Sequence, residues 1–137
     1  MNKQERLDKT YIQMAEVWGR LSHSKRAKVG ALIVKDQMII SDGYNGTPNG
    51  FDNSCEIEGE TKWEVLHAEA NAILKCAKHG TSLKGGTLYL TMSPCKNCAK
   101  LIFQSGISRV VYKEKYRDTG GIEFLEKTGV EITKISA

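Results

Sequence analysis

The sequence predicts an α/β fold: a mixed sheet of five strands with helices on both faces. Three observations carry this expectation. The chain opens on an amphipathic stripe, two short apolar segments follow as a hairpin, and strand and helix patterns alternate through the second half. Such alternation implies right-handed crossovers between neighbouring parallel strands. The opening hairpin makes the sheet mixed.

Leu7, Tyr11, Met14, Ala15, Trp18 and Leu21 recur at helical spacing and predict a first helix ending near residues 19–22. Residues 29–34 are apolar and β-branched, and 35–37 turn the chain into 38–40, which reads as a β-hairpin. Residues 43–60 are rich in glycine, asparagine and aspartate and predict a long irregular loop, a length commonly reserved for function. A second helix is expected over 64–79, with Leu66, Ala70, Ile73, Leu74 and Ala77 as its apolar stripe and Gly80 as its stop. Then follow a strand at 87–92, a helix at 94–105 closed by Gly106, a strand at 109–112, a short helix at 122–127 and a last strand at 130–135. No repeat and no linker divides the sequence, so residues 1–137 are expected to form one domain.

Composition narrows the function classes. With 40% hydrophobic and 26% charged residues the chain can bury a core, which excludes intrinsic disorder. No apolar run could span a bilayer and the first residues carry no apolar leader, so a soluble, cytoplasmic protein without a membrane partner is expected. A net charge of +4 is mild: it suits a small anionic ligand and falls short of a nucleic-acid sleeve, so no nucleic-acid partner is expected. Four cysteines are too few for a disulfide scaffold in a chain of this length and point to metal or redox chemistry.

The informative pair is Cys95 and Cys98, separated by Lys96 and Asn97 and preceded by Pro94. Alone it fits a redox pair, half a zinc ribbon or chance. Pro94 suits the first turn of a helix, which would place both sulfurs on one face and favour their thiolate form at the positive helix end. No second Cys-x-x-Cys completes a four-cysteine site, whereas His67 supplies a nitrogen ligand at the start of the preceding helix. One imidazole and two thiolates leave a tetrahedral position open for water, as in catalytic zinc sites. Glu69 lies two residues after His67, off that helical face, and is read as the base handling protons from the metal-held water rather than as a ligand.

Taken together, His67-Ala68-Glu69 and Pro94-Cys95-Lys96-Asn97-Cys98 resemble the H-x-E and P-C-x-x-C motifs of zinc-dependent nucleobase deaminases. Within that family the sequence resembles the deoxycytidylate (dCMP) deaminases through residues 43–50, through the extended motif at 67–73, and through Arg26 ahead of Val29-Gly30-Ala31. The likeness covers nearly the whole chain and implies a three-layer α/β/α, cytidine deaminase-like fold. It implies hydrolysis of dCMP to dUMP and ammonia for thymidylate synthesis, with Zn2+ on His67, Cys95 and Cys98 and Glu69 as proton carrier. It further implies that backbone N–H groups of Ala68 and Glu69 hold the base carbonyl, that the Ser93 carbonyl accepts from the exocyclic amine and that Asn45 meets the sugar 3′-hydroxyl. Arg26 is the candidate for the 5′-phosphate and Tyr116 for a wall of the base pocket. A homohexamer activated by dCTP and inhibited by dTTP, with Mg2+ beside the triphosphate, is the family expectation. The second, structural zinc of some relatives lacks its ligands here: residues 61–66 offer no histidine, and no cysteine precedes Cys55.

Blander readings stand beside these. Cys76 reads as a small buried residue, Cys55 as a free loop thiol, and His23 and His79 as partners of helix ends. Lys25 to Lys28 also suits a solvated turn, while Tyr44 and Tyr116 suit packing. The rival functions are a tRNA adenosine or free cytosine or cytidine deaminase, and a zinc-stabilised binding module without catalysis.

Overall fold

The computed structural model describes residues 1–136. Its elements run α1 (Lys3–Gly19), β1 (Gly30–Lys35), β2 (Met38–Tyr44), β3 (Glu56–Ile57), β4 (Glu60–Thr61), α2 (Ala68–His79), β5 (Thr87–Met92), α3 (Lys96–Ser105), β6 (Arg109–Glu114), α4 (Gly120–Thr128) and β7 (Glu131–Lys134). The large sheet has five strands in the order β2-β1-β5-β6-β7. β1 pairs antiparallel with β2 and β5, whereas β5–β6 and β6–β7 are parallel. The expected mixed sheet with flanking helices is therefore present.

Strand alternation splits the apolar side chains between two faces. Leu32, Val34, Tyr89 and Val111 meet Ile12 and Ala15 of α1. Ala31, Ile33, Leu88, Leu90 and Val110 pack on the other side with Ala68 and Ala72 of α2, Ala99 and Ile102 of α3, and Leu125 of α4. The layers are thus one helix, the sheet, and three helices. Each fully buried aliphatic side chain in this core, Ile102 for example, contributes about 1.5–3 kcal/mol.

A buried ion pair locks α1 to the sheet. Asp8 accepts from Arg109 Nη1 and Nη2 (2.8 and 2.7 Å) and from the Tyr89 hydroxyl (2.6 Å), while Gln4 adds a fourth donor at 2.9 Å. Burial alone would raise the Asp8 carboxyl, but these partners hold it below its usual range.

Three boundaries differ from the sequence expectation. α2 starts at Ala68 rather than near residue 64, because Leu66 exchanges both backbone hydrogen bonds with Gly46 and so cannot enter the helix. α3 starts at Lys96, with Cys95 as its N-cap. Residues 43–60 are not wholly irregular: β2 runs on to Tyr44, and β3–β4 form a separate two-stranded hairpin turning through Glu58 and Gly59, both at positive φ. Among the described residues, no helix is long and apolar enough to cross a membrane.

Candidate active site

The site lies at the carboxyl ends of β5 and β6, where open α/β sheets gather their ligands. Two helix starts converge on it. His67 is the N-cap of α2 and Cys95 the N-cap of α3, and neither side chain caps its own helix. Both are turned towards each other instead.

Close packing fixes the α2 start. A Cβ at Gly43 would stand 2.4 Å from the Ala68 carbonyl oxygen, so only glycine lets the helix approach β2 this closely. Ser41 Oγ donates to the Ala72 carbonyl at 2.7 Å and Asn71 Nδ2 to the Tyr44 carbonyl at 2.8 Å, pinning the same two elements. The start of α4 presses on the other motif, where a Cβ at Gly121 would stand 2.1 Å from the Pro94 carbonyl oxygen.

His67, Cys95 and Cys98 form a three-residue cluster whose ligand atoms all lie within 4.8 Å of one another. His67 Nδ1 stands 3.6 Å from Cys95 Sγ and 3.4 Å from Cys98 Sγ. A tetrahedral zinc with bonds of about 2.3 Å to sulfur and about 2.0 Å to nitrogen separates N and S ligands by roughly 3.5 Å. The residues fit that ion.

The electrostatics agree. Hydrogen bonds from Cys98 and His67 bring the Cys95 thiol down to about 4, so it is a thiolate at neutral pH. That thiolate, together with burial and the nearby Glu69 carboxyl, drives the Cys98 thiol upward. His67 is raised chiefly by its bond to Cys95. The cluster without metal thus carries protons that a divalent cation would replace, which gives both sulfurs their thiolate form.

Glu69 stands outside the ligand cluster but beside it, only 4% exposed. Burial pushes its carboxyl up to about 7, against the opposing pull of its own backbone N–H and of His67. A carboxyl at that value exchanges protons near neutrality.

These residues border a cleft of about 480 Å³. Of the positions singled out in the sequence, Arg26, Asn45, His67, Ala68, Glu69, Ser93, Cys95 and Tyr116 all line it; Cys98 is buried behind His67 and Cys95. Asn45 is already partly engaged: its Oδ1 accepts from Val29 N at 2.9 Å and its Nδ2 donates to the Ala27 carbonyl at 2.8 Å. One lone pair and one N–H of the amide remain. Ser93 Oγ accepts from Tyr116 N at 2.8 Å, tying the two walls together. Exposed Arg26 stands beside Thr61 and Glu60 at the cleft edge.

Sequence reasoning passed over Ser24, Thr61, Val65, Met92, Lys115 and Arg117, which line the same cleft. Lys115 and Arg117 were discoverable, since they flank Tyr116 just past the carboxyl end of a predicted strand. Thr61 had no local signal. Cys55, expected as a loop thiol, is free but fully buried, and Cys76 is buried in the core.

Comparison with known proteins bears on this geometry. Residues 5–114 match the family model of the cytidine and deoxycytidylate deaminase zinc-binding region. A deoxycytidylate deaminase of Enterobacteria phage T4 is 33% identical, the alignment covering 92% of this chain and 88% of that protein. The crystal structure of a dCMP deaminase from cyanophage S-TIM5, in complex with dCMP and dUMP, superposes with a TM-score of 0.93 at 44% identity, covering 98% of this chain and 99% of the other. Motif, ligand geometry, fold and sequence relationship agree: the chain belongs to the cytidine and deoxycytidylate deaminase family.

Proposed function

We propose that residues 1–137 act as one deaminase domain that hydrolyses dCMP to dUMP and ammonia, supplying dUMP for thymidylate synthesis. The observation that carries this reading is a buried carboxyl beside three zinc-type ligands, in a cleft edged by basic side chains. His67 Nδ1 and the sulfurs of Cys95 and Cys98 would hold the zinc. When bound, the ion supplies the Lewis acidity that makes water a nucleophile at neutral pH.

Glu69 moves the protons. Its carboxylate takes one from the attacking water and gives it to ring N3, then takes the second proton from that same oxygen and delivers it to the exocyclic amine as the C4–N bond breaks. The water oxygen becomes the C4 carbonyl, and ammonia leaves. The substrate is oriented by groups that line the cleft. N–H groups of Ala68 and Glu69, at the helix start ahead of the first intrahelical bond from Asn71 to His67, face the base carbonyl. The Ser93 carbonyl accepts from the amine, the free half of the Asn45 amide meets the sugar 3′-hydroxyl, and Tyr116 walls the base. Arg26 takes the 5′-phosphate, for which its planar fork is suited.

The same reading, supported by the family relationship, extends to a cytoplasmic homohexamer activated by dCTP and inhibited by dTTP, with Mg2+ accompanying the triphosphate. Ammonia release from dCMP, deoxycytidine, cytosine and a tRNA anticodon stem, measured with zinc content on the same sample, tests the substrate. dCMP is expected to turn over fastest; deoxycytidine used equally well would overturn the nucleotide reading, and turnover of the stem alone would replace it. Titrating dCTP and dTTP into the dCMP reaction tests regulation: dTTP should raise the dCMP concentration for half-maximal rate, and a flat response to both would remove it.

A further inference from the structure

Arg26 belongs to the connection between α1 and β1, which has no ladder of its own. What holds that loop is a side chain some thirty positions away. Glu56 Oε2 accepts from Ser24 Oγ at 3.0 Å, Lys25 N at 2.9 Å and Arg26 N at 3.2 Å. Donors converging on an ionised oxygen make charge-assisted bonds, stronger than neutral ones.

Glu56 is itself well placed. It pairs across the small hairpin with Thr61, whose Oγ1 lies 3.4 Å from Arg26 Nη1. The hairpin is anchored by Cys55, which is fully buried and whose carbonyl accepts from Lys62 N at 2.8 Å. From the other side Asn45 fixes Ala27 and Val29. The loop is therefore clamped at both ends, and the arginine between the clamps stands at the cleft edge.

We propose that Glu56 is a positioning residue for nucleotide recognition: by clamping residues 24–26 it presents the Arg26 guanidinium to the substrate's 5′-phosphate. This rests on the reading of the cleft as a dCMP site. The anchor of the hairpin is Cys55, and Glu56 lies outside both apolar clusters. Its loss therefore loosens the arm without emptying the core. An unclamped loop must be ordered when substrate binds, and that entropy opposes binding rather than the chemical step.

The test compares wild type, Glu56→Ala and Glu56→Gln on dCMP and on deoxycytidine, with melting temperature and zinc content measured for each. Glu56→Ala should raise KM for dCMP about ten-fold, the scale of a displaced charge-assisted contact, with kcat held within about two-fold. Turnover of deoxycytidine, which has no phosphate to place, should stay within about two-fold, and Glu56→Gln, which keeps an acceptor in position, should recover most of the loss. Should Glu56→Ala melt early or lose zinc, Glu56→Asp, one methylene short of the loop, carries the test with the same expected split. An unchanged KM, or equal losses on both substrates, overturns the role. A wild type that does not prefer dCMP overturns the substrate reading instead, whereas a preference for dCMP undiminished in Glu56→Ala overturns the role of Glu56 alone.

Discussion

Replacing Glu69 by glutamine tests the chemistry with little change of shape. The carboxyl is buried against Cys98 and His67, and burial pushes it up to about 7, which suits the proton-carrying role proposed for it. Glutamine keeps the volume but can neither accept the water proton nor return one to the base. General acid–base catalysis contributes about 10² to 10⁴ in rate. At 1.36 kcal/mol per decade the variant loses about 2.7–5.4 kcal/mol of transition-state stabilisation. Because Glu69 lies outside the ligand cluster, metal content should stay at the wild-type level, and KM for dCMP should move little. Single-turnover ammonia release, atomic absorption and thermal melting on one preparation measure all three. A folded, zinc-loaded variant with a rate within about ten-fold of wild type would refute the role of Glu69, since that residue loss falls below the range of a general acid–base group.

Two further outcomes follow from other parts of the structure. Cys98→Ala removes one of three clustered ligands and should abolish stoichiometric zinc, which atomic absorption reads directly; retained metal would count against the cluster as the zinc site. Asp8→Asn leaves the Arg109 guanidinium without its buried counter-ion and should cost about 3 kcal/mol, lowering the melting temperature by roughly 10 °C. In the wild type the folded Asp8 carboxyl titrates below the ordinary aspartate value of 3.8, so its contribution is complete above that pH and is lost as pH falls through the folded value. Acid melts of the variant should lack that component, and parallel acid profiles would contradict it.

Much of the site was legible because its chemistry is local. Cys95 and Cys98 are three residues apart, and His67 and Glu69 two, so two short motifs that resemble a known family pattern brought the candidate ligands and proton carrier into view. What sequence could not place was set by distant backbone. Leu66 fits a helical stripe, yet its N–H and carbonyl are taken by Gly46, and this tertiary pairing moves the helix start onto His67. The β3–β4 hairpin escaped notice because two-residue strands have no periodicity to detect. Glu56 was invisible for a stronger reason: its partners at Ser24, Lys25 and Arg26 are joined to it only by the fold.

The displaced helix start explains how the fold makes a metal site at all. An N-cap residue normally spends its side chain on the first free N–H groups of its helix, and giving up that bond costs about 0.5–2 kcal/mol. His67 and Cys95 both stand at N-caps and neither makes it. Their side chains are directed into the cluster, while the positive helix end favours the Cys95 thiolate. Zinc binding, favourable by about 10 kcal/mol or more in structural sites of comparable donors, would more than offset two missing side-chain caps. Site and scaffold are therefore coupled: the backbone arrangement that frees these side chains from capping also gathers them into one cluster.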